Sequence, residues 1–356
     1  MHRKWAGFLL LGAVAVAACQ ENNEPTAETN DVGVPALAAA AAPLTGTPAE
    51  RAAQIAQRVN ARLRAAGSTK ELDGAYFFTI GGGVPDFRTL RTGSRWVNPR
   101  SITYAIDQKS SDIVKHTFGA GFTDAQIISA IDRTFDRYNH VDGIVLQSRN
   151  TGYTGLRRND DILDGIILAD HDNNKKTPKV CVDVVDLSSQ AVNSYDPATG
   201  SIDFNPVADN LFGGWLGPTY FADCLGSQDI IGVTWTFSDV DGALGDGLDG
   251  YPDRVYTEQF YNTRFDWNIT GSVYLDFSEH ALFDVETIVT HEVGHAHGLG
   301  HFGGPNENEP FKLQPNGKVF DPEAVMNPFY IGGEKRNLLP TDVSALKTLY
   351  ASQQLQ

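Results

Sequence analysis

Between residues 122 and 141 the apolar positions fall in a helical rhythm. Ile127, Ile128, Ile131, Phe135 and Tyr138 make one stripe, and Thr123 with Gln126 three residues on has the form of a capping box. A second helical period runs through TPAERAAQIAQRVNARLRAAG, residues 47–67. There Ile55, Val59 and Leu63 recur every four residues, Thr47 and Glu50 suit the start, and Gly67 suits the stop. Alternation with a period of two predicts strands over 101–106, 143–149, 164–170, 230–237 and 254–262. A helix bearing several histidines follows, then a loop, then a final helix over 341–352 capped by Thr341. Residues 173–227 carry no clear period and read as a loop-rich insertion. Strand, helix, several strands, helix, loop and helix predict an α+β, or mixed α/β, domain with a twisted, mostly parallel sheet backed by helices. No internal repeat is visible.

The first 46 residues break this pattern. MHRK is basic, the 14 residues after it are apolar but too short for a membrane span, and VAAC closes the run at Cys19. This resembles a bacterial lipobox, which makes residues 1–18 a lipoprotein signal peptide and Cys19 the lipidation site; the plainer reading is an ordinary signal peptide with a chance cysteine. Gln20 stands where an inner-membrane retention signal has Asp, so the resemblance implies export and a lipid anchor in the outer membrane of a Gram-negative cell. Residues 19–46 are rich in Ala, Pro, Thr, Asn and Glu and read as a disordered tether. Residues 47–94 would be an N-terminal helix and connector, a pro-segment remnant, and 95–356 the main domain.

Composition narrows the function. With 28 basic and 44 acidic residues the formal charge is −16, which disfavours nucleic acid as a partner. A monomer is expected. Two further cysteines, Cys181 and Cys224, can form one disulfide in an exported protein or remain two buried thiols.

Chemistry concentrates in VTHEVGHAHGLGH, residues 289–301. His291 and His295 lie one helical turn apart on one face. Gly298 can end the helix in a left-handed conformation, so that His301 returns to the same point. Three imidazoles suit Zn2+ and leave a coordination position open, as in a catalytic site. Glu292 is placed to act as general base on water activated there. His297, about 120° away around the helix, belongs to packing or solvent. A chance match to all five fixed positions is on the order of one in 10⁴.

HEVGHAHGLGH resembles the zinc motif of the metzincin metallopeptidases, and EAVMNP resembles their Met-turn, with Met326 as the methionine beneath the metal. The Pro after it, GLGH, the strand ITYAI and the segment LLPTDVSALKTLY are most similar to the matrixin branch. The resemblance implies a metzincin-like catalytic domain, a zinc-dependent endopeptidase activity and a protein or peptide substrate. Phe302 stands where matrixins place Ser. GGGVPD, residues 81–86, resembles the matrixin pro-segment motif, but Gly82 stands where the inhibitory cysteine belongs, so thiol latency is not expected. Tyr330, four residues after Met326, is a candidate for the oxyanion or the cleft wall. Ca2+ is a second candidate cofactor, on acidic stretches holding Asp170, His171 and Asp172, and Asp239, Asp241, Asp246, Asp249 and Asp253. These stretches lack the EF-hand spacing and read better as solvated turns, since Asp-Gly is turn chemistry in its own right. Two further functions fit the residues: a non-catalytic, metal-stabilised lipoprotein binding module, and a zinc hydrolase of a non-protein amide.

Overall fold

The computed structural model describes residues 43–65, 67–80, 84–88, 94–106, 121–153, 195–196, 201–202, 208–218, 220–239, 251–271, 281–305, 320–330 and 332–351. Cys19, Cys181, the strand expected at 164–170 and most of both acidic stretches lie outside them.

Among the described residues the α-helices are α1 (Pro48–Ala65), α2 (Asp124–Asn139), α3 (Val285–Ala296) and α4 (Pro340–Tyr350). Nine strands form the main sheet: β1 (Lys70–Ile80), β2 (Phe87–Arg88), β3 (Arg95–Trp96), β4 (Ile102–Ile106), β5 (Ser148–Tyr153), β6 (Asn210–Leu216), β7 (Ile230–Asp239), β8 (Asp253–Asn262) and β9 (Phe329–Tyr330). Their order is β9-β1-β7-β8-β6-β4-β5, with β2 beside β1 and β3 beside β8. Parallel ladders are the more numerous, but the two longest, β1–β7 and β7–β8, are antiparallel. The molecule is therefore mixed α/β, with helices against both faces of the sheet.

Alternation along β1 and β7 divides the core between those faces. Ala75 and Phe77 of β1, with Val233, Trp235 and Phe237 of β7, join the apolar face of α1 (Ile55, Val59, Leu63) in one buried cluster. Phe78 of β1 joins α2, α3 and α4 in the other, with Ile127, Ile131, Phe135, Ile288, Val289, Val293 and Leu346. Gly232 and Thr234, between the α1-facing positions of β7, look toward α3.

Several expectations need correction. The sheet does not begin after residue 95: the stretch expected to be a connector supplies β1, which lies between β9 and β7. Its alternation is broken by Gly74, where the β1–β7 register shifts. Residues 210–216 are not part of a loop-rich insertion but form β6, an inner strand between β8 and β4. Gly214, at φ +99°, sits where the β6–β8 register shifts, and this hides the period of two. The strand expected at 143–149 starts later, as β5 at Ser148. Helix α4 starts one residue before the expected cap. Pro340 opens it, and Thr341 lies inside, donating its hydroxyl to Glu323 O (3.2 Å). By contrast α1 begins directly after Thr47, whose backbone amide donates to the Glu50 carboxylate in the first turn at 2.7 Å. The Thr123–Gln126 capping box of α2 is formed as expected.

Candidate metal centre

Helix α3 is buried on every side, so its position is set by contacts all round. Asp284 caps its start, accepting from the Thr287 amide at 3.0 Å, and is itself held by Arg336 at 2.7 and 2.9 Å. Glu286 in the first turn faces Arg133 and Arg137. The helix ends in a Schellman motif. Leu299 N–H donates to Gly294 O and Gly298 N–H to His295 O, both at 2.9 Å, and Gly298 has φ +94°. A side chain on Gly298 would also come within 2.7 Å of Ser94 O. Buried Arg254 donates to the carbonyls of His295 and Ala296 and places a positive charge at the negative end of the helix dipole.

This reversal brings His301 back to His291 and His295. Their Nε2 atoms lie 3.0, 3.0 and 3.2 Å apart. Each Nδ1 meets an oxygen that can only accept: Val325 O at 2.7 Å for His291, Leu299 O at 2.8 Å for His295, and the Asp86 carboxylate at 2.9 and 3.0 Å for His301. Each ring therefore carries its proton on Nδ1 and turns an Nε2 lone pair inward. Three lone pairs this close repel unless a cation lies between them. Nitrogens sharing one tetrahedral ion at about 2.0–2.1 Å would stand roughly 3.4 Å apart. The trio fits a metal ion, and these three residues would hold it. Burial, and then the neighbouring histidines, keep His291 and His295 well below the ordinary histidine range, so they are neutral, the form that binds metal.

Glu292, next to His291 in the chain, is wholly buried. One oxygen accepts from the Thr234 hydroxyl at 2.5 Å, and the other, Oε1, has no hydrogen-bond partner among the described residues. Burial raises its carboxyl to about 8, the Thr234 hydroxyl opposes this, and the Asp86 charge adds to it. Gly232 of β7 lies directly against it: a Cβ there would be 2.6 Å from Oε1.

Met326 is fully buried, and its sulfur lies against Gly294, between the first two histidines in the sequence. Its turn is held by Asp342 of α4, which accepts from the amides of Val325 (2.9 Å) and Met326 (3.2 Å). Tyr330 is buried, with its hydroxyl donated to Gly333 O and its ring edge-on to Phe78 and Phe283. His297 points away from the trio into packing. It accepts from Trp96 Nε1 at 3.3 Å and lies against Phe135 and Tyr138. Cys224 is buried and disulfide-bonded, while Cys181, its expected partner, lies outside the described residues. Asp239 of the acidic stretches pairs with Lys70.

The histidine pattern does not point to Asp86, Tyr76 or Phe78. Tyr76 stacks on His295 with ring centres 4.5 Å apart, and Phe78 on His291 at 3.7 Å. Both come from β1, whose existence the alternation does not predict.

Compared with known proteins, the chain matches no family model and no curated protein. No helix among the described residues is long and apolar enough to cross a membrane.

Proposed function

We propose that this protein is a zinc-dependent endopeptidase of metzincin-like, matrixin-type fold, exported and held by a lipid on Cys19 at the outer membrane, acting on proteins or peptides. The reading rests on one observation: three Nδ1-protonated histidines aim their Nε2 atoms at a single point, with a buried carboxylate beside it. Zinc held by His291, His295 and His301 would acidify a water and polarise the scissile carbonyl.

The chain's own groups supply the rest. Glu292 Oε1, without a hydrogen-bond partner among the described residues, takes the proton of the attacking water and passes it to the leaving amine. Thr234 fixes the other oxygen and so the direction of the first. The carboxyl value of about 8 belongs to the metal-free site; a cation beside it favours the ionised form that a base requires. Met326 packs the floor beneath the helix. A module that used metal only for folding would have no need of a carboxylate with one unpaired oxygen at this place.

The test is Glu292→Ala. The variant should retain about one zinc per chain by elemental analysis and lose peptide and casein hydrolysis by about 10² or more, as expected when a general base is removed. Undiminished hydrolysis would reject the mechanism.

A further inference from the structure

We propose that the chain carries its own occluding strand: the downstream half of β1, with Asp86, closes the approach to the three histidines, and substrate reaches them only when that half of β1 separates from β7. The proposal builds on the peptidase reading, since it is that site's access that is controlled.

Three contacts from one stretch of chain carry it. Tyr76 stacks on His295, Phe78 stacks on His291 and the Asp86 carboxylate holds His301, so these three residues touch every member of the trio. His291, Glu292 and His295 have no exposed surface at all. An amide to be cleaved must lie beside Glu292, and Glu292 rests on Gly232 and Thr234 of β7. Those two residues are paired with Phe78 and Tyr76 of β1. An extended peptide seeking main-chain bonds along β7 would therefore find the ladder already taken, in antiparallel register, by β1.

The cover needs no thiol and fills no coordination position. Its aromatic rings stack on two imidazoles, and its carboxylate meets Nδ1, the far nitrogen, of the third. A loaded metal and a closed strand are thus compatible. The upstream half of β1 is anchored: Asp73 accepts from the hydroxyls of Thr236 (2.7 Å) and Ser238 (2.9 Å), and Leu72 and Ala75 are buried with α1. The downstream half is interrupted by a register shift between Phe78 and Thr79, next to the histidines, where pairing is locally broken.

A cross-strand lock tests this. Thr79 and Ile230 are register partners on β1 and β7 and belong to neither the metal set nor its contacts. In zinc-loaded T79C/I230C, oxidation should lower both binding of a fluorescent hydroxamate and peptide hydrolysis by about tenfold or more, because it removes the open population. Reductant should restore both, with the parent given the same reductant as control for the native disulfide. An oxidised form that binds the hydroxamate and cleaves as fast as the reduced form overturns the proposal. Should the double variant not fold, amide hydrogen exchange on the zinc-loaded parent gives the answer. Hydroxamate binding should speed exchange over Tyr76–Ile80, and binding without that change overturns the proposal. If no form cuts any peptide while the lock still gates the hydroxamate, the peptidase reading fails and the occlusion stands.

Discussion

Each metal-facing histidine is oriented by a single acceptor, and only one of the three acceptors is a side chain. Asp86→Ala should therefore weaken zinc by about 10- to 100-fold, as is usual when the oxygen partner of a metal histidine is lost, and chelator competition would measure it. An unchanged affinity would show that Asp86 does not set the His301 ring. The convergence of the three histidines was legible in the sequence because their spacing is local, within ten residues and one helix turn-and-stop. Asp86 was not, since 215 positions separate it from His301 and no periodicity spans that distance. His297 makes a second case. Burial, then the Arg254 charge, lower it to about 3. In the unfolded chain it protonates near pH 6.5. Between those values the unfolded state binds a proton that the native state lacks, so metal-free stability is full above about pH 6.5 and declines as pH falls toward 3. His297→Gln should flatten that decline, read as urea midpoints of the metal-free protein from pH 7 to 4; parallel curves would contradict the assignment.

At the scale of elements, two glycines set the clearance between α3 and its neighbours. Gly232→Ala would push on Glu292 Oε1 while leaving the ligands alone. Activity should fall by about 10²-fold, the usual consequence of a displacement near 1 Å, with zinc content unchanged. Gly294→Ala instead drives a methyl into Met326 Sδ and the Tyr138 hydroxyl. It should cost about 1–3 kcal/mol by overpacking, seen as a lower melting temperature. Helices were the more legible elements: α1 and α2 announce themselves by caps and stripes. The strands missed, β1 and β6, both contain glycine at a register shift, so their side chains change face part-way and the alternation fails. The turn holding Met326 stands out by its residues, but its support by Asp342 joins two separate segments and leaves no local trace.

Across the whole molecule, the candidate site gathers parts from distant stretches of the chain. The ligands come from α3 and the loop after it, the orienting carboxylate from the stretch before β2, and the floor from the turn before β9. Metal should therefore stabilise the fold as a unit. At about 1,000 times its dissociation constant the gain is about 4 kcal/mol, and calorimetry with and without chelator should show the shift in melting temperature. An unshifted transition would mean the trio does not take up metal. The sheet order was beyond sequence reading, because alternation identifies strands but not their neighbours, and here β1 sits between β7 and β9. That placement has a consequence for handling the protein. β7 is a ten-residue strand built mostly of Ile, Val, Thr, Trp and Phe, and stripping β1 from it would bare a row of amides and carbonyls. Truncated or nicked material should consequently clump at high concentration, and an added extended peptide that docks along the bared margin should keep it dispersed.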